Sequence, residues 1–215
     1  MAHPRVVCLT TGSFQENGFI VADDASRDAV VVDPGEEADL FLKRLETEDL
    51  RLTAVWLTHA HLDHILGVGT VVERSGVPVH LHPADRPLYD AAANQGAWFG
   101  MQVEPPPPPD HELQAGDTLS VGRYRFTVRH VPGHSPGSVA FIGHGIAIVG
   151  DAPFAGSVGR VDLPGGDGAT LLESIRRELM VLPDETIVYS GHGPETTVGR
   201  ERSSNPFLTG AVPLV

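Results

Sequence analysis

The sequence predicts an α/β layered sandwich built as one domain. In its first half, short β-type runs alternate with amphipathic helical segments, and the second half repeats that pattern. No internal repeat or linker-like stretch divides the 215 residues, a length that suits one domain with a sizeable core and is short for two. The histidines and aspartates of interest fall just after the ends of strands.

Each element has its own signal. "RVVCLTT" and "NGFIVAD" are strands, and "DAVVVDPG" is a strand ended by a turn at Pro34 and Gly35. "EEADLFLKRLETEDL" is a helix, with Leu40, Phe41 and Leu45 near helical spacing and acids at its start. "LTAVWLTH" is a buried strand, and "HILGVGTVVERSG" opens a helix stopped at Gly76. "VPVHLH" is a strand, and "PADRPLYDAAANQ" a helix with Pro83 in its first turn. The prolines from Pro105 to Pro109 exclude helix and central strand and predict a stiff extended connector on the surface. "DTLSVG", "YRFTVRHV", "SVAFIG" and "GIAIVGD" are strands, "GATLLESIRRELMVLP" is a helix, and "TIVYSGHG" is a last strand.

Composition removes several classes of function. The net charge is -13 and Lys43 is the single lysine, so nothing is available to neutralise a phosphate backbone and no nucleic-acid partner is expected. No apolar run approaches a bilayer span and no signal peptide is visible, so neither a membrane partner nor export is expected, and the location expected is cytoplasmic. Cys8 is the only cysteine, which excludes an internal disulfide and a cysteine metal site; its expected place is a buried position in the first strand.

The stretch "LTHAHLDHILG" concentrates chemistry. His59, His61, Asp63 and His64 lie directly after a buried strand. The i, i+2 spacing of His59 and His61 aims both at one point; Asp63 and His64, at the start of the next helix, aim at a second point nearby. A pair of metal ions needs further donors, because each requires about four with a position left for water. Three residues have the same setting after a strand and beside glycine: His134 in "HVPGHSPGS", Asp151 after "IAIVG", and His192 after "TIVYSG".

These motifs, "THAHLDH", "PGHSPGS", Gly150-Asp151 and "GHGP", resemble the ligand motifs of the metallo-β-lactamase-fold hydrolases over nearly the whole chain. "FAGSVGRVDLPGGD" and "GHGPETTVGRERSSNPFL" are similar to the short glyoxalase-II-like (hydroxyacylglutathione hydrolase-like) branch. The resemblance implies a four-layer αββα sandwich over residues 1–215, without the separate helical domain that carries basic residues to glutathione in full-length glyoxalase II enzymes. It implies one metal site from His59, His61 and His134, a second from Asp63, His64 and His192, and Asp151 as the bridge. Asp33, in "VVDPG", would support the site from behind. The cofactor implied is two divalent ions, with zinc ahead of iron and manganese, since nitrogen and oxygen donors select no single metal.

The activity implied is hydrolysis of a small acyl thioester such as S-lactoylglutathione, with Asp63 as the catalytic residue that orients the nucleophile and accepts its proton. A thiolate leaves without strong acid help, and no proton donor for an amide or phosphodiester stands out. Arg160, in a glycine-rich loop beyond Asp151, is the expected clamp for a substrate anion, and Trp98, Phe99 and Met101 form an apolar lid or a packed patch. Arg200, Glu201 and Arg202 are expected as a surface charge network. Gly193 and Pro194 stand where the glutathione enzymes carry an acidic residue and a tyrosine, which separates this chain from them. The alternatives are a persulfide dioxygenase with one iron, which "GRVD" resembles and "HGP" does not, a lactonase or other acyl hydrolase, and a metal-binding interaction module. The oligomeric state stays open between a monomer and a dimer.

Overall fold

The computed structural model describes residues 3–214. Its strands are β1 (Arg5–Thr11), β2 (Glu16–Ala22), β3 (Asp28–Val32), β4 (Arg51–Trp56), β5 (Val79–Leu81), β6 (His111–Glu112), β7 (Thr118–Val121), β8 (Tyr124–His130), β9 (Val139–Gly143), β10 (Ile146–Gly150), β11 (Pro153–Phe154), β12 (Ser157–Val158), β13 (Ile187–Ser190) and β14 (Thr196–Thr197). Its helices are α1 (Ala38–Thr47), α2 (Leu62–Ile65), α3 (Val68–Ser75), α4 (Arg86–Asp90), α5 (Ala92–Trp98), α6 (Gly168–Glu178) and α7 (Val198–Ser204). Among the described residues no helix is long and apolar enough to cross a membrane.

Two six-stranded sheets face each other, one ordered β1-β2-β3-β4-β5-β6 and the other β14-β13-β10-β9-β8-β7. The alternation of each strand sends one set of side chains into the space between the sheets. Phe19, Val21, Val30, Val32 and Trp56 meet Phe126, Val128, Phe141 and Ile148 there. The other faces are covered by helices. Ala38, Val68 and Val71 pack with Val55 and Leu57 against the first sheet; Leu171, Ile175 and Leu179 pack with Ala147, Val149 and Val188 against the second. The layers therefore run helix, sheet, sheet, helix, which is the four-layer αββα order expected.

Local signals account for most boundaries. Gly76 ends α3 in the left-handed conformation, at φ 67°. Asp167 caps α6, accepting from the Thr170 N–H at 2.7 Å. The proline run has no regular secondary structure, and Tyr89 pins it by donating to the Pro107 carbonyl at 2.7 Å.

Three expectations are corrected. Cys8 is exposed, because β1 is an edge strand: Val6 packs against the core between the sheets, while Cys8 lies farther along the strand. Glu201 is fully buried and not part of a surface network. It accepts from Thr196 Oγ1 at 2.6 Å, the Gly156 N–H at 2.9 Å and Asn205 Nδ2 at 2.9 Å, and so ties α7 to the β11–β12 hairpin. Each of the two long helices predicted after β4 and β5 is broken. The first divides at Gly67, whose N–H turns to the Pro34 carbonyl at 2.9 Å, and the second becomes a 3-10 turn followed by α4 and α5.

Two histidine pairs outside the ligand cluster carry a pH effect. His82 stacks on His130 at 4.3 Å, and His80 lies 4.7 Å from His111. Burial, and then the partner ring, lowers both His80 and His82 from 6.5 to about 4. Between those values the unfolded chain binds more protons than the folded one, so stability falls as the pH falls through that window. Thermal unfolding in chelator from pH 7 to pH 5 should show a smaller fall for the His80→Gln/His82→Gln protein than for the parent. Equal slopes would contradict this.

Candidate metal centre

The donors gather at one edge of the two sheets, where strands end. His59 and His61 follow β4, Asp63 and His64 form the first turn of α2, His134 lies in the loop after β8, Asp151 follows β10, and His192 follows β13. The backbone is shaped for this. Gly150 has φ 53°, and a Cβ on it would run into Thr58 Oγ1, behind His59. A Cβ on Gly191 would run into Asp151 and His64. Asp33, which is not glycine, also stands at positive φ, 49°, with its carboxylate under the centre.

Outer partners assign the imidazole protons. Asp33 Oδ1 accepts from the Thr58 N–H at 2.7 Å, and Asp33 Oδ2 accepts from Thr58 Oγ1 at 2.5 Å. Thr58 Oγ1 has thus given away its hydrogen, so the 3.0 Å contact with His59 Nδ1 is one in which His59 donates. His64 Nδ1 donates to Asp33 Oδ2 at 3.1 Å, His134 Nδ1 to the Arg160 carbonyl at 2.7 Å, and His192 Nδ1 to the Gln15 carbonyl at 3.3 Å. In their neutral forms all four rings turn an unprotonated Nε2 inward.

Those nitrogens converge on each other and on carboxylates. His59 Nε2 and His134 Nε2 are 3.2 Å apart, and His61 Nδ1 is 2.7 Å from His134 Nε2. His192 Nε2 is 3.2 Å from Asp63 Oδ2, and His64 Nε2 is 3.4 Å from Asp151 Oδ1. Asp151 Oδ2 is 3.5 Å from both His134 Nε2 and His192 Nε2, which places this carboxylate between the two groups. Lone pairs that face lone pairs in a dry interior repel unless a cation lies among them. His64 Nε2 and Asp151 Oδ1 are buried with no hydrogen-bond partner. The donor atoms of His59, His61 and His134 lie within 4.8 Å of one another, as do those of Asp63, His64 and His192. The residues fit a pair of metal ions. A third such group, Asp33 with His59 and His64, is already committed to the hydrogen bonds just described.

The electrostatics agree with that fit. Burial and the neighbouring His64 and His134 hold His59 well below the ordinary imidazole range, and burial with His134 holds His61 at about 3. These rings are neutral and available as donors. Burial opposes charge on His64, but Asp63 and Asp151 outweigh it and push His64 well upward. Burial likewise opposes charge on Asp151, and His64, His134 and His192 outweigh it and push the carboxyl down. A proton on His64 here stands in for the positive charge the carboxylates require.

The seven expected donors are thus brought together, with Asp33 behind them as expected. Arg160 lines the same cavity and is exposed, its Nε and Nη2 donating to Asp162 at 2.7 Å each. Of the expected lid residues only Phe99 lines this cavity; Trp98 is exposed, and Met101 faces a neighbouring groove beside Val103 and Pro105.

Sequence reasoning missed Asp85 and Gln95. Asp85 is fully buried and accepts from the Ala60 N–H at 3.0 Å, Ser135 Oγ at 2.7 Å and the Gly137 N–H at 2.6 Å. It ties the loop of His59 and His61 to the loop of His134. Gln95 accepts from the Leu62 N–H at 3.1 Å and donates to the Ala60 carbonyl at 3.0 Å. Nothing in "HPADRPLY" separates such an aspartate from an ordinary acid in a first helical turn.

Known proteins resemble the chain over nearly its whole length. The hydroxyacylglutathione hydrolase GloC of Haemophilus influenzae is 38% identical over 208 residues, covering 95% of this chain and 98% of that protein. The crystal structure of the B3 metallo-beta-lactamase BLEG-1 matches with a TM-score of 0.90 at 40% identity, covering 96% of this chain and 100% of that one. The structure of TTHA1623 in a di-iron-bound form matches with a TM-score of 0.87 at 43% identity, covering 94% of this chain and 100% of that one. The profile of the metallo-beta-lactamase superfamily spans residues 11–192, from the end of β1 to the last of the converging histidines, and the chain belongs to that superfamily.

Proposed function

We propose that the protein is a binuclear metal-dependent hydrolase of acyl thioesters. The observation that carries the reading is the convergence of ring nitrogens and two carboxylates on two adjacent points. His59, His61 and His134 would hold one ion, Asp63, His64 and His192 the other, and Asp151 would touch both. Zinc is the expected metal, with iron or manganese able to occupy the same donors; the two irons of TTHA1623 support two positions. Bound there, the ions supply an acidified water and an electrophile for a carbonyl oxygen.

The chain's own residues do the rest. The Asp63 carboxylate, which lines the cavity, accepts the proton from water and orients the oxygen toward the acyl carbon. The carbon–oxygen bond forms, the carbon–sulfur bond breaks, and the thiolate leaves without needing a protonated acid. Asp33 holds His59, through Thr58, and His64 in the tautomers that present Nε2. Asp33→Asn puts an amide against donors and should weaken metal binding about 10- to 100-fold, read by competition with a chelator. Unchanged affinity would remove this role for Asp33.

The test of the reading is hydrolysis of S-lactoylglutathione by metal-loaded protein, followed by loss of thioester absorbance, with His134→Ala as the control. Turnover that disappears in the control supports the hydrolase. Oxygen uptake with glutathione persulfide and no thioester cleavage would replace it with the single-iron oxidoreductase reading.

A further inference from the structure

We infer that Phe14 and Phe99 form a specificity clamp for thioesters carrying an uncharged apolar or aromatic group beside the scissile bond. The inference rests on the hydrolase reading and names the substrate class of that same site. The cavity that reaches His61, Asp63, His134, Asp151 and His192 has a volume of about 380 Å³. Apart from these groups its wall is almost wholly apolar: Phe14, Phe99, Phe154, Val158 and Leu163.

The two rings come to the cavity from separate elements. Phe14 lies in the turn between β1 and β2, and Phe99 follows the last turn of α5. They meet edge to face at 4.9 Å and 87°. Phe154 approaches from another element, set edge-on to the His192 ring at 5.9 Å and 89°. Phe99 stays 50% exposed, so the fold itself does not use up its apolar surface. A substrate whose carbonyl reaches the centre beside Asp63 and Asp151 would lay its substituent against the wall that carries these rings.

Charge argues in the same direction. Among the cavity residues, Arg160 is the only cation besides the histidines, and its Nε and Nη2 are paired with Asp162. The chain's single lysine, Lys43, lies on α1 and does not line the cavity. The net charge of -13 adds a repulsive field for a polyanionic ligand. Beyond the metal centre, a glutathione leaving group with its two carboxylates finds one cation, already paired with Asp162, whereas an apolar group finds three rings.

The test compares kcat/KM for a phenylacetyl thioester of N-acetylcysteamine with kcat/KM for S-lactoylglutathione, in the parent, Phe14→Ala, Phe99→Ala and Phe99→Leu, at equal metal content. The parent should prefer the phenylacetyl thioester. Each alanine variant should lower that preference about 10- to 100-fold, chiefly through KM, and Phe99→Leu should restore most of it. Calorimetric binding of phenylacetate and of lactate to the same loaded proteins gives a second readout: phenylacetate should bind more tightly, and the alanine variants should remove the difference. A parent that prefers S-lactoylglutathione, or variants that keep the parent's preference, would overturn the clamp and leave the hydrolase standing. If neither thioester is cleaved, the hydrolase reading fails, and the phenylacetate-to-lactate ratio still decides the clamp, equal affinities overturning it.

Discussion

Metal-loaded Asp63→Ala should hydrolyse thioesters about 10²- to 10⁴-fold more slowly than the parent, with little change in thermal stability in chelator. Asp63 is in the first turn of α2 at the cavity, its side chain 18% exposed and its Oδ2 3.2 Å from His192 Nε2. Burial opposes charge on it, but His64 and His192 outweigh burial and keep the carboxyl below its ordinary value. It is therefore ionised at neutral pH and able to accept a proton. No apolar packing depends on it, so the deletion should reach chemistry and metal content before it reaches the fold. Asp63→Asn keeps the shape without the acceptor and should be slow as well. Steady-state rates beside melting curves make the check, and a loss of less than tenfold in both variants would deny Asp63 the role.

Asp85→Ala should unfold about 3–5 kcal/mol more easily than the parent. The carboxylate is fully buried and accepts three hydrogen bonds, from Ala60, Ser135 and Gly137. Without it, two backbone N–H groups and a hydroxyl lose their partner in a dry interior, each at a cost of about 1–3 kcal/mol. The loss also frees two loops from each other, one carrying His59 and His61 and the other His134. Metal affinity should fall along with stability. Asp85→Asn, which retains one acceptor oxygen, should lie between. Denaturant unfolding in chelator separates the folding term from the metal term, and a change below about 1 kcal/mol would contradict this role.

The donor set was legible because this edge of the fold writes its chemistry locally. A buried strand running into H-x-H-x-D-H, and three further strands ending beside Gly with a His or Asp, place their ligands by position alone. The layers were legible for a similar reason: "GFIVA", "AVVV" and "IAIV" are apolar on both faces, and β2, β3 and β10 are buried throughout or nearly so. What was hidden depends on neighbours distant in sequence. Glu201 sits in "GRERSS", a run with the composition of a solvated helix face, yet Thr196, Gly156 and Asn205 converge on it. Asp85 looks like a first-turn acid until Ser135 and Gly137 arrive from the opposite sheet. Cys8 belongs to an alternating β pattern, and the pattern does not tell an edge strand from a central one. Phe14 sits in a turn, where a lone aromatic carries no periodic signal; its ring gains meaning only from Phe99.

Hydrolysis is expected to need two metal ions held side by side. The most direct measurement titrates chelated protein with zinc and follows bound metal and thioester cleavage in the same samples, with His192→Ala beside the parent. The parent should take up two ions per chain and become active only as the second is bound, and His192→Ala should retain a single ion with little activity. Full activity at one ion per chain, or in His192→Ala with one ion bound, would contradict it.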